Sequence, residues 1–185
     1  MKTDDTKQKI QAGFFTLSQT IPLKKITVSR LCEACKISRS TFYLHYDNVE
    51  DLTDSLEKEL LYTLEKLFRQ EQTIPFTQMD NKTFLQILSY IENNRIHFLF
   101  FQQQSGSLFS EKLMQVIEQS LQNRLQIFGI VLPPVLSSIT FAVAGILQFL
   151  TLQITDNLPH LPETICNTYN SLLLRIFLQT QTDNA

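Results

Sequence analysis

Residues 27–46 read TVSRLCEACKISRSTFYLHY. Thr27 and Ser38 each offer a hydroxyl suited to an N-cap, which predicts two short helices, 28–35 and 39–45, joined by a tight turn. Val28, Leu31 and Cys32 share one face of the first, while Phe42 and Tyr46, one turn apart, share a face of the second. Those are the proportions of a helix-turn-helix, whose second helix presents its N-terminal half to a DNA major groove. With Phe42 and Tyr46 inward, positions 39, 40, 43 and 44 point outward. Ser38, Ser40, Thr41, Tyr43 and His45 are hydrogen-bonding groups, and Arg39 can form a two-pronged contact with guanine or phosphate.

The flanking sequence is helical as well. Upstream, Ile10, Phe14, Leu17 and Ile21 follow a helical period over 5–19, and Pro22 closes that helix. Downstream, Asn48 with Asp51 resembles a capping box opening a long fourth helix striped by Leu52, Leu56, Leu60, Leu64, Leu67 and Phe68. The apolar pattern fails across 71–80, around Pro75. A fifth helix carries Phe84, Ile87, Leu88 and Ile91, with a break at Asn93-Asn94. A sixth covers 96–104, and a seventh carries Leu113, Ile117, Leu121, Leu125 and Phe128. Pro133-Pro134 open an uncharged eighth helix reaching about residue 156, and a ninth follows Pro162. The expectation is an all-α chain of about nine helices. Residues 1–50 form a three-helix DNA-binding head, and 51–185 form a helical bundle for ligand binding and dimerisation.

Composition narrows the function. Four glycines in 185 residues, none clustered, leave no dinucleotide fingerprint and no phosphate-binding loop. Residues 2–46 carry eight bases against three acids, whereas the remaining residues carry eight bases against fifteen acids. A basic head on an acidic body suits a polyanionic partner. Three cysteines and an N-terminus without an apolar core predict a cytoplasmic protein. The uncharged stretch 131–155 begins with two prolines and contains Ser137, Ser138, Thr140 and Gln148, which suits a buried bundle helix better than a membrane span.

Residues 26–52, ITVSRLCEACKISRSTFYLHYDNVEDL, resemble the head of the TetR/AcrR transcriptional regulators. The likeness rests on the Ile-Thr-Val entry, the Ser-Arg-x-Thr-Phe-Tyr helix, the His-Tyr exit and the Asn-x-Glu-Asp-Leu start of helix four. Upstream Ile10, Phe14, Leu17 and Pro22 fit too, and beyond residue 56 the agreement is in length, helix count and the long apolar eighth helix. The resemblance implies that Thr27, Thr41, Tyr43 and His45 meet phosphates and that Arg39, Ser40 and Leu44 reach base edges. Two positions depart from the pattern. Lys36 stands where the family often has glycine, so a left-handed residue there carries strain; Val49 replaces a common phosphate-contacting lysine.

Other features have bland readings beside sharper ones. Cys32-x-x-Cys35 lacks the strand and the further ligands that redox or zinc chemistry needs, and is read as core with no metal. The phenylalanines at 98, 100, 101 and 109 are either bulky core or the wall of a ligand cavity. In the second case Tyr62, His97, Phe98, Phe101, Gln102 and Gln148 would contact the ligand. Ser138, Ala142, Gly145, Phe149 and Leu152 form a stripe on helix eight suited to a second subunit. The reading is a homodimeric repressor that binds a pseudo-palindromic duplex and is released by a small-molecule effector, without cofactor or membrane. A transcriptional activator and an effector-independent DNA-binding adaptor are the alternatives; a small helical enzyme would need a catalytic constellation that the sequence does not display.

Overall fold

The computed structural model describes residues 2–70, 82–105 and 107–129, with isolated helical positions at 141, 144, 145, 148, 151, 152, 167, 171 and 175. Every regular element among them is helical. In order they are α1 (Lys2–Ser18), a 3₁₀ turn (Leu23–Lys25), α2 (Val28–Cys35), α3 (Arg39–Tyr43), α4 (Val49–Arg69), α5 (Lys82–Asn93), α6 (Arg95–Ser105) and α7 (Ser107–Ile127). The eighth and ninth helices expected from the sequence lie mostly outside the described residues. Among the described residues no helix is long and apolar enough to cross a membrane. The chain divides into two compact units, Met1–Leu60 and Leu61–Ala185, and α4 contributes residues to both.

In the first unit α1 packs on α2 and α2 on α3. Ile10 and Phe14 from α1, Leu31 from α2, Phe42 from α3 and Leu52 from α4 are fully buried. Truncating a buried phenylalanine to alanine costs about 3–5 kcal/mol, a large part of a domain's usual 5–15 kcal/mol, so Phe14 and Phe42 are central to this small core. Lys7 pairs with Glu59 at 3.2 Å, and Gln11 donates both to Glu59 at 3.1 Å and to the Tyr46 hydroxyl at 3.3 Å. The start of α4 is capped from both sides. Asn48 Oδ1 accepts from the Asp51 amide at 2.8 Å, and the Asp51 carboxylate accepts from the Asp47 amide at 3.0 Å.

Close approach of α1 to α2 depends on Gly13. A Cβ added there would lie 2.3 Å from Cys35 Sγ but 3.9 Å from Cys35 Cβ, so the sulfur alone is the obstacle. Gly13→Ala is expected to destabilise the head by about 1–3 kcal/mol through overpacking, despite the roughly 1 kcal/mol that alanine gains over glycine in a helix. Adding Cys35→Ala removes the sulfur and should restore most of the loss. Urea unfolding of the two single variants and the double variant measures that coupling, and simple additivity would count against the contact.

In the second unit α5 ends at Asn93 and α6 begins at Arg95. Asn94 makes the corner. Its side chain donates to the Tyr90 carbonyl at 2.8 Å, and its own carbonyl accepts from the His97 and Phe98 amides. Phe98, Phe101 and Phe109 are buried in one aromatic cluster, with Phe101 stacked on Phe109 at 5.6 Å and Phe98 edge-on to Phe109 at 6.0 Å. Leu64, Ile87, Ile91, Leu113, Ile117, Leu121 and Leu125 complete the apolar interior.

Candidate nucleic-acid interface

The 3₁₀ turn brings exposed Lys24 and Lys25 up to the start of α2. Arg30 donates to the Lys25 carbonyl at 2.9 Å and locks that approach. Thr27, in extended conformation, caps α2 by accepting from the Arg30 amide at 3.3 Å. At the other end Lys36 adopts the left-handed region, φ 51° and ψ 49°, and its amide donates to the Cys32 and Glu33 carbonyls. The backbone turn that the sequence predicted with strain is therefore built on a lysine.

Lys36→Gly is expected to relieve a conformational cost of about 1 kcal/mol, raising the melting midpoint by roughly 2–4 °C for a chain of this size. If the Lys36 amine also meets a phosphate, the same variant lowers the salt slope of duplex binding by about one. Thermal unfolding and a salt titration read the two effects separately; an unchanged midpoint would contradict the strain.

Helix α3 ends at Tyr43, two residues before the expected boundary, because the chain tightens there. The His45 amide donates to the Phe42 carbonyl at 2.9 Å and the Tyr46 amide to the same oxygen at 3.1 Å. Phe42 and Tyr46 are buried and in ring contact at 5.9 Å, which fixes how α3 is turned. Arg39 and Ser40 are consequently exposed, as are Tyr43 at 54% and Leu44 at 82%. Thr41 and His45 are half-buried. Leu44 thus turns nearly all of its side chain to solvent next to Tyr43.

The Ser38 hydroxyl belongs to α3's own cap. It accepts from the Thr41 amide at 3.0 Å and lies 2.7 Å from both the Ser40 and Thr41 hydroxyls. One O–H and two lone pairs are filled by those three neighbours. Ser38 therefore organises Ser40 and Thr41. Arg39 Nη2 donates to Ser29 Oγ on α2 at 2.8 Å. Glu33 is the one acid in residues 24–46, against exposed Lys24, Lys25, Arg30, Lys36 and Arg39. The aggregate base count signalled this surplus, and the structure leaves each of these side chains exposed. Ser29 had no sequence signal at all.

Cys32 and Cys35 are buried at 6% and 3% exposure. Burial pushes both thiols above their ordinary pKa, with Arg39 acting weakly against this at Cys32, so both are held in the unreactive protonated form. Their sulfurs face the Ser38 and Lys9 carbonyls at 3.7 and 3.4 Å. They pack the head, and among the described residues no group of three metal-ligating side chains occurs.

In the second unit the expected ligand residues differ in burial. Phe98 and Phe101 lie inside the aromatic cluster; His97 and Gln102 are half-buried; Tyr62, at 66%, and Gln148 are exposed. Burial holds His97 below the usual histidine pKa, so it is neutral at pH 7. A cavity of about 580 Å³ lies elsewhere, walled by Leu61, Glu65 and Arg69 of α4 and by Lys112, Gln119 and Asn123 of α7 among others. On the expected dimer stripe, Gly145 is exposed and Leu152 half-buried, while Ser138, Ala142 and Phe149 fall outside the described residues.

The fold is similar to that of solved regulators. The dihydroxyacetone kinase operon activator DhaS matches over 96% of this chain and 97% of its own, with TM-score 0.65 and 17% identity. The fatty acid degradation regulator FadR from Bacillus halodurans matches over 91% and 94%, with TM-score 0.59 and 14% identity. The TetR family repressor AlkX from Dietzia sp. strain DQ12-45-1b, implicated in biodegradation of n-alkanes, matches over 94% and 97%, with TM-score 0.53 and 12% identity. No protein-family model matches the sequence, and no curated protein matches it. The chain has a TetR-like fold.

Proposed function

We propose that this chain is a sequence-specific DNA-binding transcriptional regulator of the TetR type, working as a homodimer on a pseudo-palindromic duplex. The observation that carries the reading is α3. Its buried Phe42 and Tyr46 hold Arg39, Ser40, Tyr43 and Leu44 outward, and Lys24, Lys25 and Lys36 in the turns on either side of α2 are exposed as well. Thr27, Thr41, Tyr43 and His45 then serve as phosphate contacts, and Arg39, Ser40 and Leu44 read base edges. Ser38 contributes by fixing Ser40 and Thr41. The test is a selection of duplexes by the purified protein over a range of salt. A preferred palindrome whose affinity falls steeply with salt supports the reading, and no duplex preference refutes it.

Repression released by a small-molecule effector is the regulatory reading. One helix, α4, supplies Leu52, Leu56 and Leu60 to the head's core and Leu61, Glu65 and Arg69 to the wall of the cavity. A ligand seated there differentially in two positions of α4 would bias the head, which is what coupling requires. Activation is the second reading, favoured by the likeness to an operon activator. Transcript levels beside the selected site, compared with and without the gene, separate the two by their sign.

A further inference from the structure

Arg39 on α3 is held from outside its own helix. Its Nη2 donates to Ser29 Oγ at 2.8 Å across ten residues of sequence, and both side chains are exposed. An exposed arginine ordinarily samples many rotamers and loses that freedom when it docks in a groove. Ser29 sits in the first turn of α2, whose cap at Thr27 and packing through buried Leu31 make it a fixed anchor.

The stoichiometry leaves Arg39 competent. A guanidinium has five N–H groups, and the contact with Ser29 uses one of them. Whichever hydrogen of Nη2 is engaged, one complete edge with two parallel N–H groups stays open, either Nη1 with Nη2 or Nε with Nη2. That edge is what a guanine O6/N7 pair accepts. On the DNA-binding reading above, on which this rests, we infer that Ser29 is a specificity-determining positioning residue. It pre-orients the Arg39 guanidinium for guanine and touches no DNA itself.

The test uses the full-length protein and the duplex selected by the wild type, with each base pair of one half-site varied in turn. The Arg39→Ala profile identifies the base pair that Arg39 reads. Ser29→Ala is expected to lower discrimination at that base pair about three- to tenfold, the range to which one net hydrogen bond corresponds. Its salt slope, circular dichroism and discrimination elsewhere should match the wild type. Ser29→Thr keeps the hydroxyl and should recover the wild-type profile. Unchanged discrimination in Ser29→Ala overturns the inference. So does a uniform loss at all base pairs with a shallower salt slope, which would make Ser29 a phosphate contact. A wild type without any preferred duplex is a distinct result: it removes the DNA-binding reading, and this inference with it.

Discussion

Gly145→Arg is expected to give a folded, helical protein that is largely monomeric and has lost its operator preference. Position 145 is helical and exposed, and a Cβ built there meets nothing within 4 Å. A side chain can therefore start from this position without a clash at its Cβ, and replacing glycine in a helix adds about 1 kcal/mol of propensity. A second subunit packed on this stripe would meet both the bulk of the guanidinium and the cost of desolvating it. Two coupled heads turn the second half-site contact into an intramolecular one, which raises overall affinity by roughly 10²–10⁴-fold. Specific affinity should fall by that order while weak, salt-sensitive binding to any duplex persists. Light scattering and duplex titration decide it. A variant that stays dimeric with full operator affinity would place the interface on another surface.

Arg39→Ala is the second large effect. Arg39 is exposed at the start of α3, beside Ser40, and forms no ion pair in the salt bridges seen among the described residues. Its removal should leave thermal stability nearly unchanged, because its side chain is neither the cap of α3 nor part of the core, and its one hydrogen bond, to Ser29, is exposed. Binding responds differently. One two-pronged arginine–guanine contact discriminates by about 1–3 kcal/mol, and a dimer makes it once in each half-site. Loss should concentrate at one base pair per half-site. Tyr43, by contrast, is assigned to phosphate, so Tyr43→Phe should weaken all sequences evenly. A specificity profile unchanged by Arg39→Ala would mean that this arginine too only meets the backbone.

Local signals in the sequence were enough to place the helices of the head. Thr27, Ser38 and Asn48 cap the helices they precede, and the apolar spacing in α1 and α4 identifies the buried faces. Each of those features depends on residues within four positions of one another, so hydrogen-bond geometry and helical period suffice. The left-handed turn at Lys36 was legible for a similar reason, through the likeness of its surroundings to a glycine-bearing turn. Long-range contacts decided the rest. The dependence of Gly13 on the Cys35 sulfur and the Ser29 anchor under Arg39 join residues on different helices, with no periodic trace in the chain. In the second unit, apolar spacing marked Phe98, Phe101 and Phe109 as inward but could not distinguish a cavity wall from a packed core. Their rings pack against one another, and among the described residues one open volume lies beside the polar faces of α4 and α7. Whether inward side chains meet or leave a gap depends on how helices approach in space, which only the assembled packing sets.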